Sequence, residues 1–171
     1  CVAGVAVAGI IADFIGRKKT LIISASLLLL SAAGCMLAPN LTILVSYRLI
    51  GGLGVGVASM LSPLYISEIS RPEIRGRMVS LYQFAITLGI LVAYFANTRI
   101  LAFGQSADFS PDGFWYRILQ GEVWRGMFGS EAIPGVIFLT LLFFVPESPR
   151  WLMVRKREED ALRVLTRVTG E

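Results

Sequence analysis

Residues 41–66 read LTILVSYRLIGGLGVGVASMLSPLYI, with Arg48 as the only charge. An α-helix rises 1.5 Å per residue, so about 20 apolar residues cross a hydrocarbon core. This stretch is long enough. Its four glycines, Gly51, Gly52, Gly54 and Gly56, do not form a nucleotide cradle: no strand precedes them, G-x-G-x-x-G is absent, and there is no P-loop lysine. Gly52 and Gly56 instead make G-x-x-x-G, the spacing that lets a second helix approach closely. Pro63 removes a backbone donor near the end of the stretch and predicts a kink.

Working outward, three more stretches meet the same length requirement. Residues 20–38 and 78–98 are uncharged, and residues 127–145 carry only Glu131. Helices are the expected form, because lipid offers backbone amides no other partner. Residues 1–11 (CVAGVAVAGII) are too short to span, and their basic residues follow rather than precede them, unlike a signal peptide. They read as the stub of a longer helix, and the chain as a fragment. Composition agrees with a membrane protein. The 171 residues are 55% apolar and 16% charged, against about 45–50% and about 25% in soluble chains. With no histidine, a histidine metal cage and Ser-His-Asp chemistry are excluded. No cofactor and no metal is expected. Cys1 and Cys35 read as small apolar packers.

Charge between the spans predicts orientation. Arg17, Lys18, Lys19, Arg71, Arg75, Arg77, Arg150, Arg155, Lys156, Arg157, Arg163 and Arg167 fall on one side. The other side holds Arg99, Arg117 and Arg125, offset by Asp108, Asp112 and Glu122. The positive-inside rule puts the first group in the cytoplasm. The net charge of +4 is therefore a topology signal, and nucleic acid is not an expected partner. The expected organisation is a transmembrane helix bundle over residues 1–148 and a cytoplasmic helical segment over 149–171. An outer loop over 99–124 carries an interfacial anchor at Phe114, Trp115 and Tyr116. In the last segment Ala161, Val164, Leu165 and Val168 make an i, i+3, i+4, i+7 stripe, the mark of an amphipathic helix.

The chemistry-bearing residues are polar groups inside spans and clustered charges at their basic ends. Arg48 lies about seven residues from the outer end of its span, roughly 10 Å deep, and Glu131 about five residues from the outer end of its own. Charges at such depth mark a substrate or ion path, or a structural ion pair between two helices. Gln83 is a lone amide in the third span, sharing a face with Thr87 and Ile90. An amide suits a sugar hydroxyl, having both donor and acceptor, and equally suits an interhelical hydrogen bond. At the basic ends stand three clusters: Asp13, Gly16, Arg17 and Lys18; Glu68 and Arg75; Glu147 and Arg150. They read as an interhelical latch or as solvated loop charge.

D-x-x-G-R-K at residues 13–18, R-x-x-G-G-x-G-x-G from Arg48 to Gly56, Y-x-x-E from Tyr65 with Arg75, and PESPRWL at 146–152 resemble the sugar porters of the major facilitator superfamily. The stretches ASMLSPLYISE, QFAI, SEAIP and VPESPRWLM are most similar to bacterial proton-coupled xylose symporters. The resemblance covers nearly the whole chain except the outer loop. It implies an all-α partial N-terminal bundle, from the end of the second helix through the sixth, followed by the cytoplasmic amphipathic helix. In that family twelve helices form two halves of inverted three-helix repeats, which rock around a sugar held between them. The implied function is monosaccharide transport, pentose or hexose, by alternating access with proton symport, in the cell membrane and without covalent change. The alternatives are a proton-independent facilitator and a non-transporting sugar sensor. Partners implied are the sugar, protons, the lipid bilayer and a C-terminal half outside this chain. By the same resemblance Gln83 binds sugar, and Arg48 and Glu131 serve proton coupling. Asp13, Gly16, Arg17, Lys18, Glu68, Arg75, Glu147 and Arg150 form the cytoplasmic charge network. Two positions depart from the pattern. Phe14 replaces an arginine of the loop motif, and Ile90 stands where xylose symporters carry a second glutamine, as it does in facilitators.

Overall fold

The computed structural model of the chain describes residues 1–106, 113 and 116–169, without the side chains of residues 117, 120 and 167–169. Among these residues all regular structure is helical. The order is α1 (Val2–Ile15), α2 (Arg17–Leu37), α3 (Leu41–Ile69), α4 (Arg75–Ser106), a π-helical turn (Arg117–Gly121), α5 (Val123–Ser130), α6 (Ala132–Phe144), α7 (Pro149–Val154) and α8 (Glu158–Thr169). Four units are long and apolar enough to cross a membrane: α2, α3, α4 and the joined α5–α6.

The expected outer loop is shorter than 99–124. Residues 99–106 continue α4, and α5 begins at Val123. Arg99 ends the apolar stretch, but a charge ends hydropathy without breaking a helix. Asp108, Pro111, Asp112, Phe114 and Trp115 lie outside the described residues, as do the side chains of Arg117, Arg167 and Val168. The last span, expected as one helix over 127–145, is broken at Glu131. Pro134 has no N–H for the Ser130 carbonyl, and Glu131 N–H bonds back only three residues, to Phe128 O at 3.2 Å.

α3 is the centre of the packing, with α1 on one side and α2 on the other. A methyl group on Gly56 would collide with the Cys1 carbonyl, and one on Gly4 with the Leu53 carbonyl. The G-x-x-x-G pair thus faces α1, as its spacing predicts. The α2 crossing uses a glycine outside that pair. A Cβ on Gly54 would stand 3.0 Å from the Ser24 carbonyl, and Ser24 Oγ donates to the Gly54 carbonyl at 2.8 Å. The core around this seam holds Ala8, Ala12, Ala25, Val57, Leu61 and Tyr65.

α4 behaves differently. None of its apolar window is buried, and Gly104, packed under the Leu119 carbonyl, is its one buried residue. At the basic end, Ser148 caps α7 and Pro149 follows at the first helical position, where a missing N–H costs nothing. α8 opens on Glu158, Glu159 and Asp160, favourable to its positive end. Ala161 is fully buried and starts the amphipathic stripe.

Candidate functional site

Arg48 and Glu131 meet across α3 and the α5–α6 break. Arg48 Nη2 lies 3.7 Å from Glu131 Oε1, with both side chains about half exposed. The guanidinium also sits 4.1 Å over the Phe128 ring, and Phe128 packs edge-on to Trp124 at 6.0 Å. A charge inside a span costs at least about 2.5–3.5 kcal/mol on insertion scales, and pairing offsets part of that. At 3.7 Å the pair is a long one, and neither side chain is buried. The break at Glu131 places its carboxylate at a turn.

Gln83 is exposed on α4. The Thr87 hydroxyl donates to the Gln83 backbone carbonyl at 3.2 Å, so threonine satisfies itself within the helix. The Gln83 amide has no hydrogen-bond partner among the described residues. Ile90, on the same face, is exposed and apolar.

The basic-end clusters condense into one network. Arg17 donates to Glu68 through Nε at 3.2 Å and Nη2 at 3.3 Å, and to Asp13 at 2.8 Å. Glu68, with 3% of its side chain exposed, also accepts from Ser148 Oγ at 2.6 Å. Glu147 accepts from the backbone N–H of Lys18 at 2.9 Å and of Ser148 at 3.1 Å. Gly16 makes this possible: its φ is +104°, and a side chain there would collide with the Glu147 carboxylate. Lys18 Nζ donates to the Phe143 carbonyl at 2.8 Å. The α1–α2 corner, the end of α3 and the α6–α7 link are therefore tied together. Arg75 and Arg150 are exposed and make no ion pair among the described residues.

Other participants have no role assigned from the sequence, although Tyr65, Ser148 and Trp151 lie in its motifs. Ser148 is a fully buried donor. The Tyr65 hydroxyl donates to the Pro146 carbonyl at 2.7 Å. Trp151 Nε1 donates to the Asp13 carbonyl at 3.0 Å, and Arg155 to the Phe14 carbonyl at 2.6 Å. At the far end Arg125, read as ordinary loop charge, is 3% exposed. It pairs with Glu122, lies 4.4 Å over the Trp124 ring, and donates to the Met36 carbonyl near the end of α2 at 2.9 Å.

Four helices long and apolar enough to cross a membrane, with a charge pair inside them, define a multi-pass helical membrane protein. The family profile described as "Sugar (and other) transporter" matches residues 1–171, and the chain belongs to that family. It is 40% identical over 188 residues to the D-xylose-proton symporter of Escherichia coli K12, covering 99% of this chain and 36% of that protein. It is 41% identical over 170 residues to the arabinose-proton symporter of Bacillus subtilis, covering 99% and 34%. With the galactose-proton symporter of E. coli K12 the identity is 42% over 154 residues, covering 90% and 29%. The chain thus spans about a third of the length of these relatives. Its fold matches the xylose transporter XylE from E. coli in a partially occluded inward-open conformation, with a TM-score of 0.84 over 99% of this chain and 42% of that one.

Proposed function

We propose that this chain is part of a monosaccharide transporter that works by alternating access with proton symport, its basic end in the cytoplasm. The observation that carries the reading is the Arg48–Glu131 pair inside the spans of a family member. Three relatives at 40–42% identity are sugar-proton symporters. In this reading the pair responds to a proton entering the path, and the unpartnered Gln83 amide takes a sugar hydroxyl. The network of Arg17, Glu68, Ser148 and Glu147 is the latch that closes the cytoplasmic end. The Arg17–Glu68 pair is nearly buried, so the latch opens only when water enters to replace the hydrogen bonds that its charges lose.

The direct test is uptake by the full-length transporter carrying this segment, in cells that lack other sugar carriers. Sugar should make the external medium more alkaline, and Arg48→Leu should abolish that change. A second reading, a proton-independent facilitator, is favoured by one residue: Ile90 beside Gln83. Sugar uptake with no accompanying pH change would establish it in place of symport.

A further inference from the structure

The α1–α2 corner and the α7–α8 corner border an open surface cavity of about 650 Å³, lined by Phe14 and Trp151, edged by Lys19, Arg155 and Arg157, and continuing over Ile23. We propose that it holds the headgroup of an anionic phospholipid of the bilayer. The proposal does not depend on which solute the chain moves.

Charge is the first argument. Arg157 is paired with Asp160 at 2.6 Å, which Arg163 also approaches at 3.7 Å. Asp13, the nearest acid on the α1 side, is engaged by Arg17 at 2.8 Å. Arg155 donates only to the carbonyls of Asp13 and Phe14, at 3.3 Å and 2.6 Å, which orient it without cancelling its charge. Lys19 makes no hydrogen bond or ion pair among the described residues. Two cations therefore face the cavity uncompensated. Trp151 is of the type that settles at the headgroup level of a membrane, and its indole is already fixed by its bond to the Asp13 carbonyl.

The second argument selects a lipid over a free anion. The exposed residues of α2 are Lys19, Ile23, Ser26, Leu30, Ala33 and Leu37. Their spacing alternates four and three, so they form one row down one helix face. The row begins at the cation in the cavity and continues apolar to the end of the span. Ser26, its one hydroxyl, donates back to the Ile22 carbonyl at 2.9 Å and presents no unmet polar atom. A charged head with acyl chains uses both the cavity and the row, whereas inorganic phosphate would use the cavity alone.

The test is quenching of Trp151 in the full-length transporter, reconstituted in phosphatidylcholine and titrated with brominated phosphatidylglycerol or brominated phosphatidylcholine. Subtracting the Trp151→Phe signal isolates the reporter. Each juxtamembrane cation strengthens binding to anionic lipid about fivefold, so phosphatidylglycerol should be preferred at least tenfold. Lys19→Gln should lower that preference about fivefold, and it removes no bond on which folding depends. Arg155→Lys should retain most of the preference. Arg77→Gln, exposed at the same end but outside the cavity, should leave it unchanged, as should millimolar inorganic phosphate. Equal quenching by the two lipids would overturn the proposal. So would an equal loss in Arg77→Gln, which would mean diffuse surface charge, or displacement by inorganic phosphate, which would mean a free-anion site.

Discussion

Glu68 accepts two hydrogen bonds from Arg17 and one from Ser148 while almost wholly buried. Leaving a buried charged acceptor short of a donor costs about 1–3 kcal/mol. Ser148→Ala should therefore lower the unfolding free energy of the full-length protein by about that amount, with Ser148→Thr recovering part of it. No change would mean that Arg17 alone satisfies the carboxylate. Gln83 stands at the opposite extreme, since its amide has nothing to lose within this chain. If it binds sugar, Gln83→Ala should raise KM about five- to tenfold, the worth of one hydrogen bond, with kcat less affected. An unchanged KM would remove Gln83 from the binding site. Both residues are visible as polar groups in the sequence, but only their partners, or lack of them, separate a structural role from a ligand-facing one.

Helices in this chain are held by close approach as much as by apolar area. At the α1–α2 corner Gly16 adopts a left-handed backbone against Glu147. At φ 104° and ψ 157° a side chain costs about 1–3 kcal/mol for conformation alone and also displaces the carboxylate. Gly16→Ala should therefore destabilise the full-length protein by at least that much in a thermal or denaturant melt, and Gly89→Ala should not, since open space surrounds Gly89. Equal destabilisation at the two positions would show that neither the positive φ nor the Glu147 contact sets the cost, because alanine is the better helix former at Gly89. The spans themselves are legible from hydropathy, because each must match the thickness of the hydrocarbon core. Their ends are less so. α4 runs on to Ser106, and Glu131 interrupts what reads as one span, because helix continuity depends on backbone donors and not on apolar content.

Across the whole molecule, α1, α2 and α3 form a packed unit while α4 exposes Phe84, Ile90, Tyr94 and Phe95 along its span. Gln83 lies on this same unburied helix. A chain that covers about a third of its relatives' length and leaves one span uncovered should not close around a solute. Residues 1–171 expressed alone should give no sugar-dependent uptake, and co-expression with the remainder of the transporter should restore it. Uptake by residues 1–171 alone would show that this segment forms a complete path. The amino-acid sequence by itself determined the helical membrane class, the number of full spans, the basic end, and a G-x-x-x-G that lets a second helix approach closely; the structure identified that helix as α1. Those four features follow from local apolar length, local charge and local side-chain size. Only the tertiary structure decided that Glu68 takes Arg17 and Ser148 rather than Arg75, that Glu147 binds backbone N–H groups rather than Arg150, and that Gly54 belongs to α2. Those pairings join residues far apart in the chain, and they depend on how each helix is rotated and how closely its neighbours approach.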